Sequence, residues 1–196
     1  MIAYPLTLPA GIYPSSYTLG YMTNTRVNTS PFTFSTQKLE SYGQAWTLKL
    51  DFPPLDENQA RLMASFMAKL KGSYGSFYFT PKNAWKGTGS GTPILVSIDS
   101  DLRTTITVSP SNTSIPDGSY VQIGEQLVQI QTSIPAQAGN VTNVSIFPRL
   151  RTALPAGTPI TYINPKGKFA LTANEQQWTI DRSRHYAFSI EAMEAL

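Results

Sequence analysis

Hydrophobic and polar residues alternate along the chain in several runs that are typical of half-buried β-strands. The clearest run contains Trp46, Leu48, Leu50 and Phe52. The polar residues between them would point to the opposite face of the strand, because side chains alternate with a period of two. Phe32 and Phe34 share a similar register, and Leu39 lies near it. These runs predict a β-rich N-terminal segment that Pro53 interrupts, since proline cannot donate to a strand ladder.

One α-helix is predicted over residues 56–71. Asp56 can cap its N-terminus, and Gln59, three residues later, completes a capping-box pattern. Gly72 is a natural stop at the C-terminal end. The apolar residues inside the helix form one stripe at helical spacing: Leu62, Met63, Phe66, Met67 and Leu70. We expect Leu62, Phe66 and Leu70 to pack against the β-strands of this part of the chain.

A second set of short strands begins after the glycine-rich segment at 87–91 and ends near Tyr162. The predicted strands lie at residues 94–98, 105–108, 120–123, 126–130, 141–147 and 160–163. Turn residues separate them, and Gly124-Glu125 indicates a tight hairpin. Six strands within about 75 residues predict a small closed β-barrel.

The segment that follows the barrel returns to aromatic, strand-like sequence. Strands are predicted at residues 168–171, 178–180 and 186–193, and at 76–80 before the glycine-rich segment. The two outer pieces are incomplete alone, because the helix belongs to the first and many large aromatics belong to the last. We therefore predict a mainly β fold with one α-helix. Its outer β-sandwich or barrel domain, residues 1–87 plus 163–196, is interrupted by an inserted small β-barrel of residues 88–162.

Six large aromatic residues are expected to pack together in the outer domain. They are Trp46, Phe66, Phe77, Phe169, Trp178 and Phe188. Three come from the first outer piece and three from the last, so their packing would hold both pieces in one core.

Charge and composition exclude several classes of partner. Charged residues make up 14% of the chain, and the formal net charge is +3. The densest basic groups, at 149–151 and 182–184, are short, whereas phosphate binding needs clustered Lys and Arg. No nucleic-acid partner is therefore predicted. The chain also lacks a run of about 18 apolar residues, so no membrane span is predicted.

Candidate catalytic groups are sparse. His185 is the one histidine of the chain, and a triad with Asp181 and either Ser183 or Ser189 is formally possible. Residues this close in an extended strand splay to alternate faces, and the chain has no Gly-x-Ser-x-Gly elbow. A surface histidine at a strand edge is the favoured interpretation. The sequence therefore predicts no catalytic residue and no enzyme activity.

Metal and phosphate sites are not favoured either. Asp99 and Asp101 form the only tight carboxylate pair, but they lack the EF-hand pattern and are interpreted as a polar turn. Gly87, Gly89 and Gly91 resemble part of a phosphate loop, but the strand–loop–helix context is missing, so a flexible linker is favoured. With no cysteine and one histidine, we predict no metal site and no cofactor.

Ten tyrosines and three tryptophans raise the possibility of carbohydrate binding, because flat aromatic faces pack on sugar rings. The tyrosines outside clear strand cores are Tyr13, Tyr17, Tyr21, Tyr42 and Tyr74. Tyrosine is also enriched at protein interfaces. Packing in the core or at a subunit interface is therefore the competing interpretation of the same residues.

Several segments resemble small tail proteins of tailed bacteriophages and prophages. In the N-terminal part these are Thr29-Ser30-Pro31-Phe32, Leu50-Asp51-Phe52-Pro53-Pro54-Leu55 and Phe66-Met67-Ala68-Lys69-Leu70-Lys71-Gly72. Further along they are Ile115-Pro116-Asp117-Gly118, Phe147-Pro148-Arg149-Leu150-Arg151 and Lys168-Phe169-Ala170-Leu171. The pieces are scattered over most of the chain, and the nearest role in that group is the distal tail protein.

This resemblance implies a β-domain that forms a ring, usually of six copies, at the tip of the tail tube. The ring joins the tube to the hub and to host-recognition parts, so the implied location is the virion after synthesis in the bacterial cytoplasm. The family brings no catalytic residues to carry over. A tail-tube or terminator role stays open. So do two other classes: a carbohydrate-binding module that contacts the host surface, and a hydrolase with a carboxylate pair such as Asp99 and Asp101.

Overall fold

The computed structural model of the protein describes residues 2–81, 87–99, 101–181 and 184–195. These residues form a mainly β fold with a single α-helix, as predicted. The first part contains β1 (Leu6–Thr7), β2 (Ser16–Thr29), β3 (Thr36–Asp51), α1 (Glu57–Leu70), a 3-10 turn (Gly72–Tyr74) and β4 (Ser76–Phe79). The middle part contains β5 (Ile94–Ile98), β6 (Thr105–Ser109), β7 (Tyr120–Ile123), β8 (Gln126–Ile130), β9 (Val141–Phe147) and β10 (Ile160–Thr161). The last part contains β11 (Gly167–Leu171), β12 (Trp178–Ile180) and β13 (Tyr186–Glu194).

The first sheet combines strands from both ends of the chain. Its order is β1-β4-β11-β13-β3-β2, and β12 pairs with β13 beside this path. β11 lies between β4 and β13, and β13 pairs with β3, all antiparallel. The strands β11 and β13, which follow the middle part, therefore lie between strands that precede it, so neither outer piece forms this sheet alone.

The second sheet is a nearly closed six-stranded barrel with the order β10-β7-β8-β9-β6-β5. Its two ends approach each other where Leu95 N donates to Thr158 O and Ile160 N donates to Pro93 O, both at 2.8 Å. The hairpin between β7 and β8 turns at Gly124, whose φ of 63° favours glycine. All six predicted strands of this part are present. The independent folding of residues 88–162 stays a prediction.

Helix α1 begins with the predicted capping box. The Asp56 carboxylate accepts a hydrogen bond from Gln59 N at 2.8 Å, and Gln59 Oε1 accepts one from Asp56 N at 3.4 Å. The helix ends at Leu70, and Lys71 adopts the left-handed conformation with φ of 54° before Gly72. No helix in the described ranges is long and apolar enough to span a membrane.

One residue of the predicted stripe does not reach the core. The buried residues of α1 are Ala60, Met63, Phe66, Met67 and Leu70. Leu62 is 44% exposed, so the prediction that it packs against the β-strands is wrong. At 3.6 residues per turn, Leu62 lies at one margin of this stripe and Ala60 at the other.

The aromatic core joins the outer pieces as predicted for five of the six residues, since Trp46, Phe66, Phe77, Phe169 and Phe188 are buried in one hydrophobic cluster. The Phe66 ring lies edge-on to Phe77 with centroids 5.9 Å apart, and the centroids of Phe77 and Phe169 are 6.4 Å apart. Trp178 stacks on Phe188 at 5.7 Å, but it is 43% exposed. Trp178 therefore covers the edge of the core and does not fill its centre.

Trp46 connects the first sheet to the barrel. Its ring lies 5.6 Å from the rings of Phe147 and Tyr120, and its Nε1 donates to the Leu127 carbonyl oxygen at 2.9 Å. Leu127 is buried in the same hydrophobic cluster as the first sheet. Trp46 therefore belongs to the outer core as expected, with Tyr21 edge-on at 6.5 Å, and it also contacts residues of the barrel.

The glycine-rich segment is held against the barrel, so the prediction of a flexible linker there is wrong. Thr88 and Ser114 exchange two backbone hydrogen bonds of 2.8 Å, and Tyr162 Oη donates to Gly89 O at 2.8 Å. A Cβ at Gly91 would collide with the carbonyl oxygen of Ser111. This glycine therefore permits a close backbone approach.

Candidate functional site: an exposed two-stranded arm

The hairpin of β2 and β3 extends well beyond the rest of the first sheet. β3 pairs with β13 from Asp51 to Thr47. From Trp46 towards the hairpin tip, the strands β2 and β3 pair only with each other in the described part of the chain. Residues 21–44 are named the arm. The strand Tyr21–Thr29 alone spans roughly 30 Å, at about 3.4 Å per residue.

The arm exposes apolar side chains on both of its faces. The large exposed residues are Tyr21, Met22, Val27, Phe32, Phe34, Leu39 and Tyr42. Val27 pairs with Lys38, and Arg26 pairs with Leu39, so each face carries an apolar residue opposite a cation. Contiguous exposed apolar patches mark interaction sites on soluble proteins, whereas single exposed apolar residues are common, so the two phenylalanines of the tip matter more here than Val27 or Leu39.

Two phenylalanines stand at the tip of the arm. Ser30 N donates to Ser35 O, and Phe34 N donates to Ser30 O, both at 2.9 Å. Phe32 is 92% exposed and Phe34 is 81% exposed. Phe34 also has φ of 53°, a left-handed conformation that bulky residues rarely adopt. Strain of this kind clusters at functional sites, and here it presents an aromatic ring to solvent.

The outer edge of β2 lacks the usual protection of an edge strand. Among the described residues, no strand pairs with this edge along 20–29. This stretch contains no proline and one charged residue, Arg26. Proteins commonly block edge strands with proline, charge or short length, because the free backbone groups otherwise pair with another chain. The edge is therefore suited to strand addition.

A buried carboxylate fixes the base of the arm to the barrel. Glu194 is 6% exposed and accepts a hydrogen bond from Trp46 N at 3.2 Å. Arg151 Nη2 lies 3.7 Å from Glu194 Oε2. Burial raises the pKa of Glu194 above its ordinary value, although the Trp46 hydrogen bond and the Arg151 charge act in the opposite direction. Nearby, Arg149 N donates to Gln44 Oε1 at 3.1 Å.

The residues considered for catalysis are not assembled into a triad with Ser189. His185 Nδ1 lies 3.7 Å from Asp181 Oδ2, and both side chains are half-exposed. Ser189 Oγ instead pairs with Asp51 Oδ1 at 2.9 Å. Ser183 lies outside the described residues.

The carboxylate pair at 99 and 101 is engaged in local structure. Asp99 accepts hydrogen bonds from Ser97 Oγ and Thr107 Oγ1, both at 2.6 Å, while Asp101 lies in an exposed turn. In the described ranges no group of three His, Cys, Asp or Glu residues is placed to hold a metal ion.

The five candidate tyrosines are distributed over different surfaces. Tyr21 lies edge-on to Phe147 at 5.0 Å, the Arg149 guanidinium lies 5.2 Å from the Tyr42 ring, and Tyr74 lies against Tyr4 at 6.0 Å. Tyr13 and Tyr17 share a groove of about 690 Å³. Its other lining residues are Leu8, Pro9, Ala10, Ile12, Pro14, Ser15, Tyr78, Phe79, Thr80 and Asn164. We refer to it as the tyrosine groove.

The arm is the feature that residue-by-residue reasoning missed as a site. The signal was a pair of phenylalanines, Phe32 and Phe34, within the polar sequence from Thr29 to Gln37. In the sequence these residues resemble part of a buried strand, whereas in the structure both side chains are exposed. Compared with models of known protein families and with curated proteins, the sequence gives no match.

Proposed function

We propose that the chain is a structural, non-enzymatic virion protein that forms a ring at the tip of a bacteriophage tail. The observation that carries this proposal is the arm, with its exposed phenylalanines and open strand edge. The scattered resemblance to distal tail proteins supports the same role. In that role, the ring links the tail tube to the hub and to host-recognition parts.

A ring follows from the kind of contact that the arm favours. A contact between the apolar tip of the arm and a different patch on another copy is head-to-tail. Head-to-tail contacts close into rings when the rotation between copies permits it. Burying each phenylalanine would contribute about 1.5–3 kcal/mol, so two at the tip supply a substantial part of one subunit contact.

The composition also suits a structural role. Only 14% of the residues are charged, and the core of a subunit interface is depleted of charge. The barrel, held near the base of the arm by the hydrogen bond from Trp46 to Leu127 and the ion pair of Arg151 with Glu194, would project from the ring as an accessory module. The family resemblance suggests six copies.

A carbohydrate-binding module is the second candidate function. The tyrosine groove favours it, because three tyrosine rings lie beside the uncharged polar residues Ser15, Thr80 and Asn164. Pockets of this size with aromatic walls and a few polar groups are typical of small-ligand sites. Binding of glycans by a chain that stays monomeric would favour this function over the ring.

Sedimentation velocity of the full chain over a range of concentrations tests the proposal. We expect the wild type to form assemblies larger than a monomer, and the double variant Phe32→Ser/Phe34→Ser to sediment as a folded monomer. Leu62→Ser is the matched control, because it removes an exposed apolar residue from α1, away from the arm. Assembly of the double variant at the wild-type concentration would contradict the proposed role of the arm.

A further inference from the structure

We propose that the arm tip of one copy inserts into the tyrosine groove of the next copy. This inference rests on the proposed function and names the surface that receives the arm. The donor is the tip, residues 29–37, with Phe32 and Phe34 as its exposed rings. The acceptor is the tyrosine groove, about 690 Å³ in volume.

The donor and the acceptor match in chemistry. The tip sequence from Thr29 to Gln37 contains no charged residue. The residues that line the groove are likewise uncharged, and more than half of them are apolar or aromatic. Tyr13 is 64% exposed at the groove, while Tyr17 lies edge-on to Phe79 at 5.2 Å in its wall. Aromatic rings pack favourably edge-to-face or offset, so this lining suits incoming phenylalanine rings.

Geometry prevents a copy from filling its own groove. Tyr17 lines the groove near the start of β2, and β2 continues to Thr29 at the base of the tip. These twelve steps along a strand cover roughly 40 Å at about 3.4 Å per residue. β3 pairs with β2 along this length apart from a register shift between Thr23 and Asn24, so the tip lies far along a two-stranded ribbon from the groove. The tip can therefore reach a groove only on another copy.

The contact is directional, and this property makes it testable by mixing. An exposed apolar group that fits a pocket elsewhere on the same molecule generates head-to-tail association. Each copy then donates one tip and offers one groove. A copy with a disabled tip can still accept the tip of another copy in its groove. A copy with a blocked groove can still insert its own tip into another copy.

Two variants separate the roles of tip and groove. Phe32→Ser/Phe34→Ser removes the donor, and Tyr13→Arg places a charge and added bulk in the acceptor. We expect each variant alone to raise the dissociation constant of self-association by at least about a hundredfold. An equimolar mixture should form a dimer with twice the monomer mass, because one intact contact remains. Tyr74→Arg, at a tyrosine that is 79% exposed outside the groove, is the control and should assemble like the wild type.

Engineered cysteines identify the contact directly, since the chain has no cysteine of its own. Phe32→Cys mixed with Tyr13→Cys should give a disulfide-linked heterodimer under mild oxidation, in excess over either homodimer. Circular dichroism of each variant checks that it is folded.

The outcomes distinguish this inference from the proposed function. Wild-type assemblies that persist unchanged in Tyr13→Arg, or Phe32→Cys homodimers as the dominant product, would overturn the inference and leave the ring in place. A groove that binds maltohexaose or chitohexaose, lost in Tyr13→Arg while assembly is unchanged, would also overturn it. A wild-type chain that stays monomeric would contradict the proposed function, and the inference with it.

Discussion

Truncation of Phe66 tests whether α1 is held to the β-core through the face that the structure assigns. Phe66 is 5% exposed and packs edge-on against the fully buried Phe77. Replacing a buried phenylalanine by alanine removes apolar burial and leaves a cavity, at a cost of about 3–5 kcal/mol. For a protein of 150–250 residues, each kcal/mol lowers the Tm by about 2–4 °C, so the expected drop is roughly 6–20 °C.

Leu62→Ala on the same helix is the matched control. Leu62 is 44% exposed, and alanine is at least as good a helix former as leucine, so its substitution should cost less than about 1 kcal/mol. Urea unfolding, followed by tryptophan fluorescence and by circular dichroism, measures both variants. A loss below about 1 kcal/mol for Phe66→Ala, or equal losses for the two variants, would refute the burial of this face.

Three further predictions concern other parts of the fold. Because burial raises the pKa of Glu194, its stabilising effect is fully present below the pKa of an unfolded glutamate and is lost as pH rises through the folded pKa. Wild-type stability should therefore fall across this window in urea titrations, and Glu194→Gln should remove part of the fall; parallel pH profiles would contradict this. Asp56→Ala should cost about 1 kcal/mol through loss of the helix cap, whereas Asp56→Asn should retain most of it; equal losses in thermal melts would show that the cap is not responsible. Replacing residues 88–162 by a short Gly/Ser linker should leave a folded outer domain, since loop-closure entropy changes by only about 0.6 kcal/mol per doubling of length. Uncovering Trp46 should still cost about 2 kcal/mol or more and shift its fluorescence to the red; a wholly unfolded product would mean that the two parts share one core.

The sequence predicted the elements whose signals are local. The capping pair Asp56 and Gln59 and the apolar spacing set the helix, and both depend on residues within a few turns. The strands of the barrel were visible because turn residues such as Gly124 separate short β-branched runs. The burial predicted for Leu62 was wrong, because helical spacing identifies the centre of an apolar stripe more surely than the residues at its margin.

Features that depend on distant residues were not predicted. Three partners of Trp46, namely Tyr120, Leu127 and Phe147, come from the barrel, 74 or more positions later in the chain, and no local pattern specifies them. The glycine-rich segment looked like a linker because its composition is the same whether it is flexible or closely packed. Gly91 packs against Ser111, a contact that only the fold reveals.

The candidate site was the least predictable part. Phe32 and Phe34 alternate with polar residues in the sequence, as in a half-buried strand. Both rings are exposed in the structure, and this exposure depends on the tertiary packing, which a local pattern does not contain. Likewise, Tyr13 and Tyr17 meet Tyr78 in one groove although three strands separate β4 from β2 in the sheet order, so only the fold brings these residues together. Sequence position alone gives no reason to join these residues.

Negative-stain electron microscopy of the purified full chain tests directly whether it forms the proposed ring. We expect closed rings of uniform diameter for the wild type, with the barrels as projections, and isolated particles for Phe32→Ser/Phe34→Ser under the same conditions. Wild-type particles that remain single at the highest soluble concentration, or rings that form equally well without the two phenylalanines, would contradict it.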